Sequence, residues 1–212
     1  MFKKFLITQS KGRINKMVDF NKSKTKENLM KAFAGESQAR NRYTFAASVA
    51  KKEGYSIIQD LFIYTADQER AHAKEFMGKL KEFSGENITI TAGYPVEVET
   101  DTLKLLRSAE THENDEFSNI YSEFSDVAKE EGFQDIAILF NKIASIEKVH
   151  SERFKKYADR LENGTLFKDD NKKMWMCTNC GYIYESEEAP EICPVCLHPK
   201  GFFIDFKESS FE

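Results

Sequence analysis

The sequence predicts a mainly α protein: a four-helix bundle with a long crossover between its second and third helices, followed by a small four-cysteine module. Three observations carry this. Long helix-patterned stretches fill residues 24–163, punctuated by Gly54, Gly85, Gly132 and Gly164. A segment repeats within them: "AKKEGYSIIQDLF" begins at Ala50 and "AKEEGFQDIAILF" at Ala128, an offset of 78 residues. Finally, all four cysteines fall between positions 177 and 196, in two Cys-x-x-Cys pairs.

The elements follow in order. Residues 1–23 form a basic N-terminal extension, expected to be flexible. Positions 1–16 hold five Lys/Arg and no Asp or Glu, and Met17 offers an alternative start. Residues 24–165 are the expected bundle. Leu29, Phe33 and Ala34 recur at helical spacing, as do Leu61, Phe62, Thr65, Ala66 and Ala73. The stretch "GENITITAGYPVEVETDTL" mixes β-branched residues with Gly and Pro and reads as an extended connection. A third helix fits 101–131 and a fourth 133–163. Past Gly164, aromatic residues, Cys and Pro replace helical runs, and a separate module is expected over 172–208. The repeat makes the first region two related helix pairs. Two pairs joined by a long connection have ferritin-like connectivity.

The same offset maps Glu69 onto Glu147, His72 onto His150 and Phe76 onto Phe154. On a helix, Glu and His three residues apart lie on one face and can hold one metal ion jointly. Two related copies facing each other could hold two. The pattern then requires a carboxylate from each remaining helix. Helix one offers Glu36, 33 residues before Glu69; helix three offers Glu113, 34 before Glu147, with Glu116 a turn beyond and Glu110 as a rival. Lone Glu-x-x-His pairs usually mark solvated faces; the paired placement and the added glutamates favour metal instead. Glutamates directed into a core cannot remain ionised without cations, because each buried charge costs several kcal/mol. His112, beside Glu113 but about 100° around the helix from it, fits no such role.

Cys177, Cys180, Cys193 and Cys196 form a tetrahedral thiolate site, which suits either zinc or iron. The surrounding Trp175, Tyr182, Tyr184 and Phe203 supply a small core and tilt the reading toward a one-iron electron-transfer site.

Composition excludes other classes. The formal charge is −4 and the pI about 5.7, with no basic face for general nucleic-acid binding. No apolar run approaches the roughly 18 residues of a membrane helix. The N-terminus lacks the roughly 7–15-residue apolar core of a signal peptide, so a cytoplasmic location is expected. No Gly-rich dinucleotide fingerprint occurs, so NAD(P)H is expected to act only through another protein.

The segments "AFAGESQARNRY", "TADQERAHAK", "EFSDVAKEEGF" and "CTNCGYIYE…APEICPVCLHPK" resemble those of the rubrerythrins, a ferritin-like di-iron bundle followed by a rubredoxin-like domain. The resemblance runs from about Thr25 to Phe203. It implies di-iron ligands at Glu36, Glu69, Glu113, Glu116, Glu147 and His150, and it selects the 113/116 pair. It implies a redox-linked ligand at His72, exchanging with Glu116, and supporting roles for Tyr43 and Tyr121 beside the irons. The four cysteines would hold a third iron. The implied reaction is reduction of hydrogen peroxide to water in oxidative-stress defence. Electrons would come from an external NAD(P)H-dependent reductase or rubredoxin, within a homodimer or larger assembly. Two alternatives stand beside it: a ferroxidase or iron-storage protein using O2, and a non-catalytic zinc-ribbon interaction module on a helical scaffold. A small residue is common in that family where this chain has His112.

Overall fold

The computed structural model describes residues 18–209, and the basic segment 1–17 lies outside them. Four rods make the bundle. They are α1 (Lys24–Lys52), α2 (Ser56–Lys79), a composite third rod and α5 (Gln134–Glu162). The third rod comprises α3 (Thr102–Asp115), a π turn (Glu116–Ile120) and α4 (Tyr121–Glu131). The single helix expected over 101–131 therefore carries a π turn at its centre. The segment between Glu86 and Asp101 has no regular structure and crosses the bundle. The small module is a three-stranded antiparallel sheet of order β2-β1-β3, with β1 Lys168–Cys177, β2 Ile183–Glu188 and β3 Phe203–Asp205.

The π turn explains the arithmetic of the repeat. Before it, equivalent residues are 77 apart: Thr25 and Thr102, Leu29 and Leu106, Ala32 and Ala109, Glu36 and Glu113, all buried. After it they are 78 apart: Tyr43 and Tyr121, Ala50 and Ala128, Phe62 and Phe140. A π turn accommodates one extra residue per helix, so the insertion is absorbed without displacing the rods.

The repeat extends to the turns and caps. Gly54 and Gly132 take φ of +84° and +94°, a region glycine enters without Cβ strain, and the next residues, Tyr55 and Phe133, share φ near −91° and ψ near 70°. Each pair caps the other pair's first helix. Glu131 Oε2 accepts from the Thr25 amide at 2.8 Å and its hydroxyl at 2.6 Å; Glu53 Oε2 accepts from the Thr102 amide at 3.2 Å. These bonds satisfy helix-start donors that have no intrahelical partner.

Aromatic rings close the core at two levels. Tyr43, Phe62 and Phe154 form one triad, with centroids 5.1–6.0 Å apart. Tyr121, Phe140 and Phe76 form its counterpart at 5.2–6.0 Å. All six are essentially inaccessible to solvent.

Of the extension expected to be flexible over 1–23, the described part, 18–23, is ordered against the bundle. From Val18 the chain is docked: its amide donates to Glu131 O, and Phe20 packs on Phe83 and Phe133 at 5.7 and 5.0 Å. An apolar ring that can fill a gap at the bundle's end overrides the polar character of its neighbours.

The sheet module has a core of Trp175, Cys177, Ala189, Cys193 and Phe203. It leans on the bundle through Ile204 and the neighbouring Phe167, which pack against the bundle core, and through two further contacts. Glu208 reaches Arg160 at 2.8 Å and Lys156 at 2.7 Å. Gly201 approaches the α1–α2 turn so closely that a Cβ there would lie 1.7 Å from Gly54 O.

This packing can be tested at both ends of the bundle. Glu131→Ala should lower stability by about 1 kcal/mol through loss of the α1 cap, read as a lower Tm. Gly201→Ala should detach the module from the bundle. Small-angle scattering would register this as a larger radius of gyration, and the visible spectrum of the iron-loaded four-cysteine site should be unaltered.

Candidate metal centres

Four glutamates and two histidines meet midway along the bundle. Glu36 comes from α1, Glu69 and His72 from α2, Glu113 from α3, and Glu147 and His150 from α5. Each glutamate is at most 1% exposed. The i, i+3 spacing on α2 and α5 points each Glu-His pair inward, as helical geometry requires. Donor atoms from these residues cluster in two overlapping sets. One holds Glu36, Glu69, Glu147 and His72; the other holds Glu113, Glu69, Glu147 and His150. Glu69 and Glu147 belong to both, which suits bridging carboxylates between two ions.

The donor atoms point at shared centres rather than at each other. His150 Nδ1 lies 2.9 Å from Glu69 and 2.8 Å from Glu147, yet makes no hydrogen bond of proper geometry. One oxygen each of Glu36, Glu69 and Glu113, and both of Glu147, are likewise buried without partners. Orphaned buried acceptors cost about 1–3 kcal/mol each, more if charged. This is the chemistry of a site for two cations, and the residues fit the group.

The tautomer of His150 follows from its neighbour. Arg153, which can only donate, lies 3.0 Å from Gln68 Oε1, so that atom is the oxygen. His150 Nε2, also 3.0 Å from it, must then carry the proton. Nδ1 is the nitrogen that faces the carboxylates, open to a cation or, without one, to a proton. Gln68 and Arg153 went unrecognised in the sequence because the repeat places Ile146, not an amide, opposite Gln68. His72 Nδ1 lies 3.0 Å from both Glu69 and Glu147 and 3.8 Å from Glu36. Ile146 offers it no polar brace.

Two tyrosines cross the pseudo-twofold axis. Tyr43 of α1 donates its hydroxyl to Glu113 of α3. Tyr121, at the start of α4, donates to Glu36 of α1 at 2.5 Å. Glu110, the rival for Glu113, turns away and pairs with Arg107 at 2.9 Å.

Glu116 is not brought into either donor set. It opens the π turn, lines a cavity beside the centre, and lies near enough for the carboxylates of Glu36, Glu113, Glu147 and Glu69 to act on it. His112 is explained by the crossover. Its Nδ1 lies 3.1 Å from Glu97 Oε1 and 2.7 Å from the Arg42 guanidinium, which itself is 3.7 Å from Glu97. These groups tie the crossover over the site.

Burial pushes Glu36 and Glu116 well above the usual carboxylate range, and neighbouring carboxylates push them further. Burial likewise carries Glu113 up to about 8. Burial opposes ionisation of Glu69 too, but the close approach of both imidazoles, His72 hydrogen-bonded and His150 in contact at 2.9 Å, brings it down to about 2. Burial alone would depress the histidines; the surrounding carboxylates instead hold both well above their ordinary values, His150 at about 12. The ion-free cluster therefore gathers protons, which cations would displace.

The second centre lies in the module. Cys177 and Cys196 sulfurs are 3.7 Å apart, as are those of Cys180 and Cys193. A tetrahedron with metal–sulfur bonds of about 2.3 Å has edges of about 3.8 Å. All four are free thiols, and their sulfurs form a single donor group. The two knuckles are alike. The Gly181 amide donates to Cys177 O and the Leu197 amide to Cys193 O, with positive φ at both Gly181 and Leu197. The His198 amide draws Cys196 down to about 6, favouring the thiolate.

Fold and sites together define a ferritin-like di-iron bundle joined to a rubredoxin-like domain. The rubrerythrin family profile matches residues 27–158, and the rubredoxin-like domain of rubrerythrins matches 175–204. A rubrerythrin of Clostridium perfringens is 52% identical over 188 residues, covering 88% of this chain and 96% of that protein. One from Nitratidesulfovibrio vulgaris is 42% identical, covering 85% and 93%. Among solved structures, partially reduced nigerythrin aligns with a TM-score of 0.59 at 29% identity, over 97% of this chain and 100% of that one. The chain belongs to the rubrerythrin family, whose members are oxidoreductases. No helix among the described residues is long and apolar enough to cross a membrane.

Loading the bundle site at pH 7 should release about two or more protons per chain, because its ligands bind metal deprotonated. Calorimetry of Fe(II) binding in two buffers of different ionisation enthalpy measures this. Affinity should rise with pH; a pH-independent, proton-neutral binding would contradict the geometry described.

Proposed function

We propose that this protein is a non-haem di-iron peroxidase that reduces hydrogen peroxide to water. The observation that carries the reading is the pair of overlapping donor sets sharing Glu69 and Glu147, in a chain that also holds a four-cysteine site. Held by these residues, a pair of ferrous ions would supply together the two electrons that O–O cleavage requires.

The ligands in this reading are Glu36, Glu69, Glu113, Glu147, His72 and His150, with Glu116 in reserve. Asymmetry between the histidines supports an exchange role for His72. His150 is braced by Gln68, whereas His72 has only Ile146 at the equivalent place. A carboxylate suits the ferric ion and a neutral imidazole the ferrous one, so Glu116 and His72 would be the two side chains to hold iron in its different redox states. Tyr43 and Tyr121 orient Glu113 and Glu36 and can supply a proton at their hydroxyls.

Cys177, Cys180, Cys193 and Cys196 hold the iron that returns electrons singly, from an external NAD(P)H-dependent reductase or rubredoxin. Four thiolates leave no open position, so an iron held there would serve one-electron transfer rather than bind substrate. Gly201 fixes the module against Gly54. Glu69 lies 15 residues along α2 from that turn, about 22 Å by helical rise. A head-to-tail homodimer would shorten the path by presenting one chain's module to the other's bundle. The free thiols favour a reducing compartment, the cytoplasm.

Anaerobic, fully iron-loaded protein supplied with electrons by a rubredoxin reductase should turn over peroxide, with about three irons per chain. Stopped-flow oxidation of the reduced protein should be much faster with H2O2 than with O2; the reverse preference, with iron mineral forming, would establish a ferroxidase. His72→Ala should slow peroxide turnover about 10–100-fold while the iron count stays constant.

A further inference from the structure

Between the crossover, α1 and the π-turn region of the third rod lies a cavity of about 280 Å³. It reaches Glu116 and Tyr121, and so adjoins the bundle centre. Water occupies about 30 Å³ per molecule in the liquid, so hydrogen peroxide, only slightly larger, would fill a small part of this space. Ala32, Pro95, Ile120 and Phe124 make much of the wall apolar.

Two lining residues carry buried polar atoms without partners. They are Arg42, which has an unpaired Nε, and Gln38, which has an unpaired Oε1. The Arg42 side chain is only 9% exposed. One atom donates and the other accepts. A hydroperoxide group needs that pair, because it accepts at oxygen and donates from its terminal O–H.

Gly35 supplies an independent observation. It sits inside α1, where glycine weakens a helix relative to alanine. Its φ is not in the left-handed region, and a Cβ would meet only the Tyr94 ring at an ordinary 3.6 Å. Neither backbone nor close packing demands glycine here. Its effect is to leave the cavity wall open.

We propose that this cavity admits small organic hydroperoxides as substrates, with the alkyl group against Ala32, Ile120 and Phe124 and the O–O–H group between Arg42 and Gln38. The inference rests on the peroxidase reading and extends its substrate class. The O–O bond of the hydroperoxide takes up two electrons and two protons and breaks to give one alcohol and one water. The two electrons would be supplied by the iron pair held by the bundle ligands, and would be replaced from the external reductant through the four-cysteine site.

The test compares tert-butyl hydroperoxide with hydrogen peroxide on iron-loaded full-length protein, wild type and Gly35→Val. Filling a pocket by a few carbons discriminates about 10–200-fold, so the variant should lower the ratio of kcat/KM for the alkyl peroxide to that for H2O2 by at least about tenfold. Gly35→Ala guards against misfolding: it should raise Tm and shift the ratio in the same direction by less. Independently of turnover, wild-type crystals soaked in tert-butyl alcohol should show the alcohol beside Ile120 and Phe124, and Gly35→Val crystals should not. Turnover of H2O2 alone, with an empty cavity in soaked wild-type crystals, overturns this inference and leaves the peroxidase reading standing. Inactivity toward both peroxides overturns that reading and, with it, the inference.

Discussion

The bundle is organised around a conflict between charge and burial. Four carboxylates occupy a core from which water is excluded, and their unpaired oxygens converge on two points. An apolar core of the same volume would be simpler to stabilise. The arrangement is tolerable only with cations or protons among the carboxylates, so the fold and its chemistry are coupled. The aromatic triads above and below keep the medium of low polarity, which strengthens each ligand bond and each hydrogen bond from Tyr43 and Tyr121.

Much of this was readable in the sequence because a repeat turns one weak signal into a correlated pair. A single Glu-x-x-His says little; two at the same register, with Glu36 and Glu113 arriving from the other rods, define a centre. The four cysteines were equally legible, since their spacing alone builds a tetrahedron. The rubrerythrin resemblance separated Glu113 from Glu110, and the structure accounts for it through the Arg107 pairing.

What escaped was what the repeat does not share. Gln68 lies opposite Ile146, so no symmetry flagged the brace on His150. The partner of His112 is Glu97, on an irregular crossover where periodicity carries no information. A bulky, polar residue at that position looked out of place because its partners, Glu97 and Arg42, were not local. The docking of Phe20 was hidden for the same reason: its contacts, Phe83 and Phe133, lie far away in sequence.

The single extra residue in the third rod has a chemical consequence. Counting 77 back from Glu116 reaches Ala39, and counting 78 reaches Gln38; neither is acidic. Glu116 thus has no counterpart in the other hairpin, and it falls where the extra residue is accommodated as a π turn. Two identical halves would have made two identical ion environments. The extra residue breaks that equivalence and leaves one side with a spare anionic arm, the asymmetry on which a metal pair with distinct partners can be built.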